Sequence, residues 1–153
     1  MPLYFAYGAN MDVLGMSGRC PASKALGPAR LARHRFIVTK SGYASVMRSP
    51  FSDVHGVLWD LALSDIRALD RFEAIDGGLY CKLHQPVIVA GAPRRAMLYV
   101  ATCSEPGVPK PGYMENIVTS AEAWELPANY IADLSRYLPG GKARSTDGRR
   151  RRA

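Results

Sequence analysis

Between residues 29 and 102 the chain carries five β-like runs, and the gaps within its hairpin-like pairs are very short. Residues 29–39, 43–48, 54–62, 79–90 and 94–102 are rich in β-branched and aromatic side chains, and the gaps 40–42, 49–53 and 91–93 are all brief. A parallel crossover needs a dozen or more residues, usually a helix, whereas antiparallel neighbours need only a turn. The spacing therefore predicts an α+β domain on a mainly antiparallel, curled sheet. In 54–62 both alternating faces are largely apolar, which marks a central strand. Residues 79–90 and 94–102 read as a hairpin around Gly91-Ala92-Pro93. Pro86 lacks a backbone donor and points to an edge or bulge.

A further apolar run precedes these, Tyr4-Phe5-Ala6-Tyr7, and breaks at Gly8-Ala9-Asn10. It reads as a buried strand ending in a tight turn. Gly8 lacks a Cβ, so a ligand can approach the backbone there. Backbone N–H groups beyond the strand can form a cradle for a carboxylate or oxyanion. A purely structural turn is the plainer reading of these residues alone. Met11–Met16 form a short helix with Asp12 near its start, and residues 17–28 form a loop. Ser64 caps a helix with a stripe at Ile66, Leu69 and Phe72 that ends at Asp76-Gly77-Gly78. Residues 104–112 form a loop, and helices follow over 114–123 and 128–138.

The formal charge of +7 resembles a nucleic-acid signal, but it is concentrated at one end. Residues 140–153 hold Lys142, Arg144, Arg149, Arg150, Arg151 and Arg152 against Asp147, a net +5. Residues 1–139 form the expected folded domain, and 140–153 a disordered basic tail. The near-neutral domain shows no interleaved basic and aromatic stripe, so no specific nucleic-acid partner is implied. No run approaches the roughly 20 apolar residues of a membrane span. Cys20, Cys81 and Cys103 are widely separated, without metal-ligand or disulfide spacing, and point to a reducing, cytoplasmic compartment. Cys81 reads as a buried structural cysteine. His34, His55 and His84 lack metal spacing, and Trp59 and Trp124 read as core or boundary aromatics.

Chemistry can be placed at Asp70, Glu73 and Asp76, three carboxylates three residues apart at the end of the helix. Asp70 can pair with Arg67, Arg71 or a more distant partner. A carboxyl at position 73, half-covered by apolar groups, would have its pKa raised and suit a general base. A solvated helix end is the alternative.

Together, Tyr4-Phe5-Ala6-Tyr7-Gly8-Ala9-Asn10-Met11, Gly56-Val57-Leu58-Trp59, Leu69-Asp70-Arg71-Phe72-Glu73, Gly78-Leu79-Tyr80, Ala96-Met97-Leu98-Tyr99, Pro111-Gly112-Tyr113 and Leu126-Pro127-Ala128-Asn129-Tyr130 resemble the gamma-glutamylcyclotransferase family and its AIG2-like relatives. The resemblance spans residues 3 to about 138. It implies a small mixed, mainly antiparallel β-barrel flanked by helices. It also implies release of 5-oxoproline and a free amine or amino acid from a gamma-glutamyl substrate, whose own amine is the nucleophile. Glu73 would be the general acid/base. Tyr4, Phe5, Ala6, Tyr7, Gly8, Ala9 and Asn10 would form the substrate-binding strand and turn, with Tyr80, Tyr99 and Tyr113 in the pocket. No cofactor or metal is required, and the protein would act as a monomer or homodimer. A non-catalytic small-ligand-binding module on the same fold is the alternative. The chain departs from the family pattern at Ala9, where serine is commonest, and at Ala74, where glycine is frequent.

Overall fold

A computed structural model describes residues 2–73 and 77–140. The proposed disorder of the tail beyond residue 140, and the Ala74 and Asp76 positions, lie outside them. Five strands close a barrel: β1 (Leu3–Ala6), β2 (Lys24–Val38), β3 (Ala44–Asp60), β4 (Tyr80–Val89) and β5 (Ala92–Ala101). Their order around it is β1-β3-β2-β4-β5. Among the described residues, four helices accompany them: α1 (Val13–Arg19), α2 (Ile66–Phe72), α3 (Tyr113–Ala123) and α4 (Ala128–Ser135). The barrel is mixed, because β1 joins β5 in parallel at Tyr4↔Met97 while the other pairings are antiparallel.

β3 is central, paired with β1 on one side and β2 on the other. β4 and β5 form the expected hairpin, with its turn at Ala90-Gly91, slightly earlier than the sequence indicates. β4 meets β2 only at Arg30↔Ile88, so Pro86 lies along a seam where its missing donor costs little.

Several boundaries differ from the sequence reading. Half of the loop expected over 17–28 is strand, because β2 begins at Lys24. Gly27 and Pro28 read as breakers, but a bulge between Ala25 and Gly27 absorbs them. The expected strands 43–48 and 54–62 are one strand, β3, which pairs through Arg48 with His34 and resumes at Asp53 with Ala32. Pro50 falls in the unpaired stretch between them. α1 runs on to Arg19, and the Asp12 carboxylate caps it by accepting from Leu14 N–H at 3.3 Å. Ser64 does not cap α2. It lies in a 3-10 turn, Leu63–Asp65, and Asp65 occupies the cap position without using its side chain there. The Asp65 carboxylate instead accepts from Ala22 N–H and Ser23 Oγ, tying α2 to the chain after α1.

Phe5, Leu31, Val54, Val57, Leu58 and Leu98 fill the barrel core. α3 covers this core with Met114, Ile117, Val118 and Ala121, a stripe at helical spacing. Gly56 marks the closest approach of two strands: a Cβ there would stand 2.3 Å from the Ala6 carbonyl oxygen and 2.9 Å from Phe5 Cζ. Among the described residues, no helix is long and apolar enough to cross a membrane, and no cluster of His, Cys, Asp and Glu could hold a metal ion.

Candidate active site

β1 ends at Ala6, and the chain turns through Ala9–Met11 as a single 3-10 turn. Its first ladder bonds run from Met11 N–H to the Gly8 carbonyl and from Asp12 N–H to the Ala9 carbonyl. The Ala9 and Asn10 N–H groups precede that ladder, as the opening donors of any helix do. A Cβ on Gly8 would stand 3.2 Å from Tyr113 Oη, so glycine lets the turn pack against that ring.

Two indoles hold the turn from behind. Trp59 Nε1 donates to the Asn10 carbonyl at 3.1 Å, and Trp124 Nε1 to the Met11 carbonyl at 2.8 Å. The Asn10 side chain is buried and fully engaged. Its Oδ1 accepts from Arg19 Nη1 at 2.6 Å, and its Nδ2 donates to Tyr4 Oη at 3.1 Å. Asparagine suits this position because it offers a donor and an acceptor on one short side chain.

The turn forms one wall of a cavity of about 360 Å³, lined by aromatic and small side chains. Tyr4, Tyr7, Gly8, Ala9, Asn10, Glu73, Tyr80, Tyr99 and Tyr113 all reach it. Phe5 and Ala6 do not: Phe5 is wholly buried in the barrel core, and Ala6 backs onto Gly56. Tyr43, Ala44, Phe72 and Leu79 also line the cavity; Tyr43 and Ala44 lie outside the segments that carry the resemblance, and Phe72 and Leu79 lie inside them without a site role. Tyr4, Tyr7, Tyr80 and Tyr99 are nearly inaccessible, whereas Tyr43, Phe72 and Leu79 are 38%, 44% and 37% exposed. The cavity therefore has a floor of phenol groups and an apolar rim.

The phenols divide into two sets. Tyr7 donates to the Tyr99 carbonyl, Tyr80 to the Ala44 carbonyl at 2.5 Å, and Tyr99 to Asp70 Oδ1 at 2.5 Å. Their protons are committed. Tyr4 accepts from Asn10, and Tyr113 accepts from Ala44 N–H at 3.0 Å, so each keeps its own proton to donate. Burial, reinforced by the Glu73 charge, pushes all five hydroxyls above the usual tyrosine pKa and keeps them protonated.

Asp70 pairs with neither Arg67 nor Arg71. It receives Tyr99 and the Lys82 ammonium at 3.0 Å, and so acts as a structural anchor. Glu73 is different. It is the residue at which α2 ends, and its N–H closes the helix onto the Leu69 carbonyl at 3.0 Å. Among the described residues, no donor reaches its carboxylate. Burial pushes its pKa from 4.5 to about 7, and the Arg19 charge opposes the rise. Cys81 proves exposed, not buried, because its position in β4 faces solvent.

This arrangement places a carboxyl raised by burial in the lining of the same small cavity as a backbone turn and, among the described residues, two phenols that keep their protons to donate. Such a site can exchange one proton with a bound molecule and hydrogen-bond a developing oxyanion.

Known proteins share this framework. The chain is 28% identical over 148 residues to gamma-glutamylcyclotransferase of Homo sapiens and to that of Bos taurus, covering 90% of this chain and 79% of each relative. A solved structure described as gamma-glutamyl cyclotransferase superposes with a TM-score of 0.84 at 25% identity, covering 99% of both chains. An uncharacterized protein from Homo sapiens superposes with a TM-score of 0.82 at 26% identity, covering 99% of this chain and 98% of that one. A family model described as the AIG2-like family matches residues 53–134, a segment that runs from the second half of β3 into α4. With the fold, the sequence relatives and the family match in agreement, the chain belongs to the AIG2-like family.

Proposed function

We propose that the protein is a gamma-glutamyl cyclotransferase with Glu73 as its general acid/base. The observation that carries this reading is a carboxyl that lines the same cavity as the turn and six tyrosines, with burial raising its pKa to about 7. The nucleophile lies within the substrate, so the protein needs no serine or cysteine. The substrate's α-amino nitrogen attacks its own δ-carbonyl carbon, and Glu73 takes the proton released from that nitrogen. The C–N bond to the leaving amine then breaks, and Glu73 returns the proton to the departing nitrogen. The products are 5-oxoproline and a free amine or amino acid. Holding the substrate folded for ring closure can supply on the order of 7 kcal/mol of the barrier. The turn at Gly8-Ala9-Asn10 and the hydroxyls of Tyr4 and Tyr113 would bind the glutamyl unit and the oxyanion. With Ala9 in place of a serine, the turn contributes backbone donors and no hydroxyl.

The test is 5-oxoproline release from a panel of gamma-glutamyl amines and peptides, by wild type and Glu73→Gln. We expect turnover by wild type and loss of about 100-fold or more in the variant with its fold retained, the scale of general acid–base catalysis. Full activity in the variant removes Glu73 as the base. Binding of a panel member without turnover of any favours a ligand-binding module.

A further inference from the structure

Arg19 lies at the last residue of α1, outside the cavity lining, yet it contacts both halves of the site. Its Nη1 donates to Asn10 Oδ1 at 2.6 Å, and its guanidinium carbon stacks 3.8 Å from the centroid of the Phe72 ring. Asn10 belongs to the turn, and Phe72 immediately precedes Glu73. The guanidinium is thus a strut between the cradle and the base, two elements that are distant in sequence. Gly15, one helical turn earlier on α1, leaves room for it: a Cβ there would stand 3.0 Å from Arg19 Nη1. Asn10 donates from Nδ2 to Tyr4 Oη, so the chain of contacts runs from Phe72 through Arg19 and Asn10 to a phenol on the cavity floor.

We propose that Arg19 is the positioning residue of this site, fixing the N-terminal turn against the end of α2 so that cradle and carboxylate face each other at a set distance. This rests on Glu73 being the working base. The stack on Phe72 requires a flat cation, and the short bond to Asn10 requires a donor held in plane with that stack. Lysine supplies the charge without the fork.

Arg19 also acts on Glu73 electrostatically. The groups that bear on Glu73 from the packed elements are Tyr4 and Tyr7 near the turn, Tyr80 on β4, Tyr99 on β5, Tyr113 on α3, and Arg19 on α1. Asp70 is one turn earlier on α2 and is neutralised by Lys82. The tyrosines are neutral, so the Arg19 charge is what favours the Glu73 carboxylate against burial. Without it, the carboxyl should titrate at higher pH.

The experiment compares wild type, Arg19→Met and Arg19→Lys in two readouts. The first is kcat/KM for 5-oxoproline release against pH. The second is the titration of the Glu73 carboxyl followed by NMR, which needs no turnover. In Arg19→Met, kcat/KM should fall about 10- to 100-fold, the scale of a lost charge-assisted bond, and both the acidic limb and the Glu73 titration should move to higher pH. Arg19→Lys should keep the titration near its wild-type position and still lose activity, because it lacks the fork. An Arg19→Met enzyme within twofold of wild type overturns the proposal, as does an unmoved Glu73 titration in the folded Arg19→Met variant. If wild type turns over no gamma-glutamyl compound, the functional reading fails, while the NMR titration still decides the role of Arg19.

Discussion

Replacing Glu73 with glutamine should stabilise the protein, and increasingly so as pH rises. In the folded chain the Glu73 carboxyl titrates at about 7, against 4.5 in its ordinary setting. Burial disfavours the carboxylate, and the Arg19 charge recovers only part of that cost. Between the two values the native state holds a proton that the unfolded chain has released. The native state is therefore favoured by this group below pH 4.5, and that contribution is lost as pH rises through 7. A tenfold change in a proton equilibrium is about 1.4 kcal/mol. Across the whole window Glu73 thus removes about 3 kcal/mol of stability, a large share of the 5–15 kcal/mol typical of a domain.

Glutamine has the same shape and does not titrate. The difference in unfolding free energy between Glu73→Gln and wild type should grow by about 3 kcal/mol from pH 4.5 to pH 8, whatever its starting value. Groups common to both proteins cancel in this comparison. The assay is urea unfolding of both proteins at several pH values across that range. With a slope of about 2 kcal/mol/M, the variant's midpoint should gain on wild type by about 1.5 M. A difference that stays constant with pH refutes the reasoning, since it means that the carboxyl is as well solvated in the fold as out of it. A difference that shrinks with rising pH means that an opposite charge, and not burial, governs Glu73.

Two further substitutions test the frame around the site. Gly56→Ala places a methyl group 2.3 Å from the Ala6 carbonyl oxygen, a backbone atom with nowhere to go, and should cost on the order of 3 kcal/mol or prevent folding; wild-type stability in urea would show that β1 does not lie against β3 as described. Tyr99→Phe removes the 2.5 Å bond to Asp70 while leaving Lys82 on the carboxylate, and should cost about 1.5 kcal/mol by the same measurement. A change below about 0.3 kcal/mol would mean that this bond does not anchor the tyrosine.

The sheet was legible because alternation and short turns are local signals. The hairpin of β4 and β5 and the central position of β3 follow from them directly. The length of β2 and β3 was not legible, because Pro28 and Pro50 look like strand breakers. A proline breaks a strand only where its N–H is needed: Pro50 falls in the unpaired stretch of the β2–β3 ladder, and Pro28 stays in register with Val57 just after the bulge between Ala25 and Gly27. Of the residues that line the cavity, Glu73, the turn and most of the tyrosines stand in the segments that carry the family resemblance. Tyr43 and Arg19 stand outside them, and Phe72 and Leu79 stand inside them without a marked role. Each enters the site through contacts that only the closed barrel creates, and none has a distinctive spacing. Trp59 and Trp124 are a third case. Core or boundary positions are expected for them, and Trp59 is buried while Trp124 is half-buried, but an indole taken from water needs an acceptor, and no sequence signal says that both acceptors would be carbonyls of the same turn.

Hydrogen-bond accounting separates the scaffold of this site from its chemistry. Asn10 satisfies its carbonyl and both ends of its side-chain amide, and Tyr7, Tyr80 and Tyr99 each spend their proton on the protein. Groups tied in this way hold geometry and have little left to offer a ligand. Among the described residues, the protons of Tyr4 and Tyr113 and the Glu73 carboxyl are three side-chain groups at the cavity without a protein partner. A carboxyl buried without a donor destabilises the fold, and two phenols that accept but do not donate leave hydrogen-bonding capacity unused. All three deficits face the same cavity. A bound molecule that offers an amine proton to the carboxyl and a carbonyl oxygen to the phenols would satisfy them at once, and a folded gamma-glutamyl group carries both.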